Sequence, residues 1–167
     1  MEHLVGIFRE ALAAIQEPRL FETERGYQGA LLAEIHQRLV HAGLPGDPII
    51  EQEYQKTLPH HGITIRPDLI IHVPFKRGLN RRTEGNFAAV EIKLRATRAD
   101  ADEDFRSLET LHSTLAYPLT IFLNIDSSST HADRCPKSIA GQTVCFAVRL
   151  CEQKPVVVMD RCADLGV

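Results

Sequence analysis

Three residues in the middle of the chain have the types and spacing for metal-assisted hydrolysis. Asp68 follows Pro67 in the run 65–73, and Glu91 and Lys93 sit two apart in the run 87–95. Both runs alternate as half-buried strands do. In the first, Ile65, Pro67, Leu69, Ile71 and Val73 take one face, leaving Arg66, Asp68, Ile70 and His72 on the other. In the second, Ala88, Val90, Ile92 and Leu94 oppose Glu91, Lys93 and Arg95. If the strands are neighbours, Asp68, Glu91 and Lys93 converge. Two carboxylates held together repel, and a cation between them relieves the repulsion. Mg²⁺ suits such a place, with Mn²⁺ as a substitute, because it takes hard oxygen ligands and keeps several waters. Bound there, the ion would activate a water and stabilise charge on a phosphoryl oxygen. The Lys93 ammonium would orient that water or hold the phosphate, and offset charge in the transition state.

The elements that must position these groups follow from periodicity. Leu4, Phe8, Ala11, Leu12 and Ile15 predict a first amphipathic helix to about Glu17, stopped by Pro18. Thr23 is the N-cap of a second, over 24–41. Strands are expected over 49–58 and 63–73, then a long basic loop over 74–86, and a third strand over 86–95. A third helix spans 100–115, and Asp100, Asp102, Glu103 and Asp104 crowd its first turn, where they complement the helix dipole. Strands follow over 118–125, 143–151 and 155–160. The order predicts an α/β (α+β) domain with a mixed sheet.

The 167 residues suit one domain, 1–167, and 44% hydrophobic with 25% charged residues excludes a disordered chain. No apolar run reaches the roughly 18 residues of a membrane span. Glu2, Arg9 and Glu10 interrupt any signal-peptide h-region at the start, so a soluble, cytoplasmic protein is expected. A net charge of −3 counts against a binder that neutralises phosphates over its whole surface, but a local basic patch would meet that need. The absence of Trp and 6% aromatics argue against a stacking platform for single strands. Cys135, Cys145, Cys151 and Cys162 form no CxxC pair and read as reduced thiols serving as small hydrophobes.

Pro67-Asp68 followed by Glu91-Ile92-Lys93 resembles the PD-(D/E)xK nuclease superfamily, of restriction-endonuclease-like fold. More narrowly, TERGYQGALLAEI, the acidic EQEY strand, RPDLIIH and AAVEIK look like small bacterial proteins of that superfamily. The resemblance covers residues 24–125. It implies a four-stranded mixed sheet flanked by helices and metal-dependent phosphodiester hydrolysis of nucleic acid, with DNA the leading substrate. It maps the metal ligands to Asp68 and Glu91 and the catalytic lysine to Lys93. Such proteins add a Glu from the helix before the sheet, for which Glu24 and Glu34 compete. At 100° per residue Glu24 falls within about 20° of Leu31 and Ile35, facing the sheet, whereas Glu34 lies roughly 100° from the stripe centre. Glu24 is favoured.

Around this site, His72 is a second-layer candidate sharing the Asp68 face, and Arg66 is one that pairs with a carboxylate. Glu53 precedes them on a strand. Lys76, Arg77, Arg81 and Arg82, with Asn80, are the dense basic cluster that would grip a phosphate backbone beside the site. His60-His61 has no third ligand in view and carries no metal expectation. The alternative to an enzyme is an accessory or interaction module that keeps the fold. A hydrolase of small phosphorylated molecules ranks last, for want of a Gly-rich phosphate cradle. Cutting both strands of a duplex needs two sites, so a homodimer, with 155–160 as its edge, or a targeting partner is expected.

Overall fold

A computed structural model describes residues 1–55, 57–74 and 81–165. Six strands lie side by side in one sheet in sequence order: β1 (Ile49–Gln52), β2 (Leu69–His72), β3 (Asn86–Leu94), β4 (Leu119–Ile125), β5 (Thr143–Cys151) and β6 (Lys154–Arg161). β1, β2 and β3 pair antiparallel, β3, β4 and β5 run parallel, and β6 turns back along β5. This is the mixed α+β architecture expected. The sheet has six strands, however, because β5 and β6 extend it beyond residue 125, where the family resemblance ends.

Parallel neighbours need a crossover. Between β3 and β4 it is the helix Arg98–Leu115; between β4 and β5 it is two 3₁₀ turns, Ala132–Arg134 and Lys137–Gln142. The helices are α1 (Glu2–Ala14), α2 (Glu24–Leu39), the single turn α3 (Leu58–His61) and α4 (Arg98–Leu115). α1 and α2 pack on one face of the sheet, against Leu69, Ile71, Val90 and Ile92. α4 lays Ala101, Phe105, Leu108, Leu111 and Leu115 on the other, against Ile70, Ala89 and Phe122. The Phe105 and Phe122 rings meet at a centroid distance of 5.2 Å. Opposite layers thus take alternate residues of the same strands, as the pleat requires.

Several boundaries differ from the expected ones for identifiable reasons. The first strand ends at Gln52 instead of continuing to 58, because Glu53 adopts a left-handed φ of 48° that turns the chain away. Residues 63–67 lie outside the sheet, and β2 begins only at Leu69. Pro67 has no N–H to give a ladder there. Thr23 does cap α2, its Oγ1 accepting from the Gly26 N–H at 3.1 Å. All four cysteines are free, with Cys135, Cys145 and Cys162 buried in the core under α4. Among the described residues no helix is long and apolar enough to cross a membrane.

Tyr27 of α2 is fully buried, and its hydroxyl has no hydrogen-bond partner. An unsatisfied buried hydroxyl is a net cost. Tyr27→Phe is therefore expected to raise stability by about 1 kcal/mol, read as a higher unfolding midpoint in urea. A loss of stability would mean that the hydroxyl has a partner.

Candidate active site

The site forms at the C-terminal end of β3. Alternation about the buried Val90 and Ile92 turns Glu91 and Lys93 toward α4. The register pairs Leu69 with Val90, which sets Asp68, immediately before β2, level with Glu91. Asp68 Oδ2 accepts the Ile92 backbone N–H at 2.7 Å. Its carbonyl is held from both sides, by the Gln28 side-chain amide at 2.7 Å and the Glu53 N–H at 2.9 Å. Glu24, in the first turn of α2, reaches round the end of the strand from the opposite layer. Its Oε2 accepts the Leu94 N–H at 3.2 Å. Asp68, Glu91, Lys93 and Glu24, expected together from the sequence, are therefore together. Glu34 is elsewhere, paired with Arg38 at 2.6 Å.

A fifth group joins them that the sequence reading had assigned to the helix dipole. Asp104 is only 4% exposed, and its Oδ1 lies 3.4 Å from Lys93 Nζ. α4 starts at Arg98, so Asp104 falls in its second turn, where the dipole has faded. The acids around it do have surface roles. Asp100 closes a capping box with Thr97, and Asp102 grips Arg134 through both oxygens at 2.8 and 2.6 Å. The missed signal was its place in the buried stripe 101, 104, 105, 108, 111, 115. Gln28, one turn after Glu24 and also buried, was missed as well.

The loop that aims α4 at the site is tied down by Asn124 of β4. Its side-chain oxygen accepts the Ala96 N–H at 2.8 Å, while its amide donates to the Ser129 carbonyl at 2.9 Å. Fixing Ala96 fixes Thr97, the N-cap, and so the position of Asp104 two turns on.

Electrostatically the cluster is short of positive charge. Burial drives Glu91 well above the usual carboxylate range, and the charges on Asp68 and Asp104 push it further. Asp68 is raised too, chiefly by burial, against the pull of the Ile92 N–H. The two carboxyls also act on each other, the charge of Asp68 raising Glu91. Burial pushes Asp104 up to about 7 despite Lys93 beside it. For Lys93, burial opposes its charge, but Asp104, Glu24, Asp68 and Glu91 outweigh it and raise the ammonium. Four carboxylates thus face one lysine.

Whether a divalent cation suits these residues can be judged from the donors. They are hard oxygens in a like-charged, half-closed place, and one of them, Asp104 Oδ2, is buried with no hydrogen-bond partner. Among the described residues no three His, Cys, Asp or Glu side chains converge as a complete ligand set. Mg²⁺ does not need one, since it binds through one or two carboxylates and keeps its other waters. The donor chemistry fits, with Asp68 and Glu91 as the residues that would hold it.

The other expected site residues lie apart. β2 and β3 pair antiparallel, so the end of β2 and the residues just before β3 lie at the end opposite Asp68. His72 is there, its Nε2 2.6 Å from Glu51 Oε2, so it does not reach the carboxylates. Arg81 and Arg82 precede Asn86, which is five residues of strand, about 17 Å, from Glu91. They are therefore not beside the site. Lys76, Arg77 and Asn80 lie outside the described residues. Arg66 does pair with a carboxylate, Glu53, at 3.6 Å, and Arg25 meets the same Glu53 at 3.0 Å. These two exposed guanidiniums, close to Asp68 and Glu24 in sequence, are nearer the site than Arg81 and Arg82. A small cavity lined by Tyr54, His61, His72 and Arg82 also lies at the far end of the hairpin. It is apart from Asp68, Glu91 and Lys93, none of which lines it.

No family model, no curated protein and no solved structure matches the chain.

Proposed function

We propose that the chain is a Mg²⁺-dependent nuclease of the PD-(D/E)xK type, hydrolysing phosphodiester bonds of nucleic acid, with DNA as its leading substrate. The observation that carries this reading is the meeting of Asp68, Glu91 and Lys93 with Glu24, delivered by separate elements to one end of β3. A buried cluster of like charges costs stability, so its assembly calls for a chemical reason. When bound, Mg²⁺ supplies an acidified water and charge stabilisation at a phosphoryl oxygen. Asp68 and Glu91 would hold it, Asp68 being fixed in place through its carbonyl and Oδ2. Glu24 closes the cluster from the α2 side. Lys93, held charged by the surrounding carboxylates, is placed to steer the attacking water and to offset the negative charge that builds on the phosphate. Arg25 and Arg66 stand where a phosphate backbone would pass.

The test is cleavage of supercoiled plasmid, single-stranded DNA and RNA by the purified chain with Mg²⁺, Mn²⁺ or EDTA. Metal-dependent cutting, abolished by EDTA, is expected on at least one of the three, and the preferred one names the substrate. The second reading is a non-catalytic accessory module: burial raises both Asp68 and Glu91, so protonation can relieve their repulsion where no cation does. A folded chain that neither binds a divalent cation nor cuts would establish that reading. For cutting both strands, β6 is one open edge of the sheet through which a second copy could pair; a targeting partner protein is the other route.

A further inference from the structure

Asp104 has a feature that the lysine contact leaves unexplained. Its Oδ1 takes the Lys93 ammonium, while Oδ2 is buried and has no hydrogen-bond partner among the described residues. An unpaired carboxylate oxygen out of water is costly and is seldom retained without something that occupies it. It belongs to a side chain in the buried stripe of α4 that touches Lys93, so it lies beside the cluster and not on the surface. Among the described residues the cation beside it, Lys93, is already engaged by its other oxygen. Another hydrogen-bond donor is therefore wanted at that point, and waters around a divalent cation are strongly polarised donors.

We propose that Asp104 is a further member of the site, a positioning residue whose Oδ1 fixes Lys93 and whose Oδ2 accepts from a water in the shell of the cation held by Asp68 and Glu91. This rests on the nuclease reading for the identity of the cation. It adds a fourth carboxylate, contributed by the crossover helix, to the three contributed by α2, β2 and β3. Asp104 would act on the metal through water, so its loss should weaken metal binding without abolishing it. Groups that orient a metal's first layer change affinity about 10–100-fold.

Mn²⁺ binding to the full chain, followed by titration calorimetry at pH 8, tests this without recourse to activity. Asp104→Asn keeps the shape and one acceptor oxygen; Asp104→Ala removes both oxygens. Glu103→Gln, exposed on the same helix, removes the same charge away from the site. Affinity is expected to fall about tenfold or more in both Asp104 variants and to stay unchanged in Glu103→Gln. The rise in unfolding temperature on adding Mn²⁺ should shrink in step. Wild-type affinity in a folded Asp104→Asn protein would overturn the role of Asp104 and leave the nuclease reading standing. An equal drop in Glu103→Gln would reduce the effect to general charge and overturn it too. A wild-type chain that binds no Mn²⁺ would remove both.

Discussion

Metal-free protein is expected to lose stability on going from pH 5 to pH 8, with Asp104 contributing about 3 kcal/mol to the loss at most. The sign follows from burial. The carboxyl of Asp104 moves from 3.8 in an open chain up to about 7 in the fold, and Asp68 and Glu91 move the same way. In that interval the folded chain holds protons that the unfolded chain has released. The contribution is therefore complete below about pH 4 and disappears as the pH rises through the folded value. Asp104→Asn imitates the protonated form permanently. In EDTA its margin of stability over the wild type should widen markedly from pH 5 to pH 8, as measured by urea unfolding at both values. An unchanged margin would mean that Asp104 is comfortably ionised in the fold. The expectation also says what a cation would do for this protein: it would take over at high pH the work that protons do at low pH.

The second large effect separates holding a metal from doing chemistry. Lys93→Ala removes the one ammonium in the cluster but none of the carboxylates. Divalent binding should survive in it, since a repelling charge beside the cation has gone. Cleavage should fall about 10²–10³-fold, the usual loss when a group that stabilises developing charge is removed. Calorimetry with Mn²⁺ and a plasmid-nicking time course on the same preparation read the two quantities. Loss of binding together with cleavage would show that Lys93 acts by keeping the carboxylates assembled. Retention of both would remove it from the mechanism.

Much of this arrangement was legible before the fold was known, and the reasons are physical. Period-two alternation put Glu91 and Lys93 on the face away from Val90 and Ile92, and the structure keeps them there. Helical geometry preferred Glu24 to Glu34 by angle alone, and Glu24 is the one within reach of Leu94. The β5 boundaries, 143–151, were visible because both flanks change composition sharply. Asp104 was obscured by its company. An acidic run reads as one solvated feature, although Asp100 and Asp102 are tied up at the helix start and surface and Glu103 is exposed, while Asp104 belongs to the buried stripe. The short β1 depends on a left-handed Glu53, a backbone choice that no glycine announces. Arg81 and Arg82 were misplaced for a simpler reason. Hairpin geometry puts the residues just before β3 at the end opposite the start of β2, and hence opposite Asp68, a step that proximity in sequence conceals.

Asp68 carries the central claim because it touches both the strand that bears Glu91 and the place where a cation would sit. Asp68→Ala frees the Ile92 N–H but also removes a buried charge, so the variant should fold with an unfolding midpoint near that of the wild type. The decisive measurement is Mg²⁺-dependent cleavage of supercoiled plasmid by wild-type and Asp68→Ala protein, each checked for folding by thermal unfolding. The account predicts cutting by the wild type that EDTA abolishes, and a loss of at least about 10²–10³-fold in the folded variant. Cutting by Asp68→Ala at the wild-type rate would contradict it.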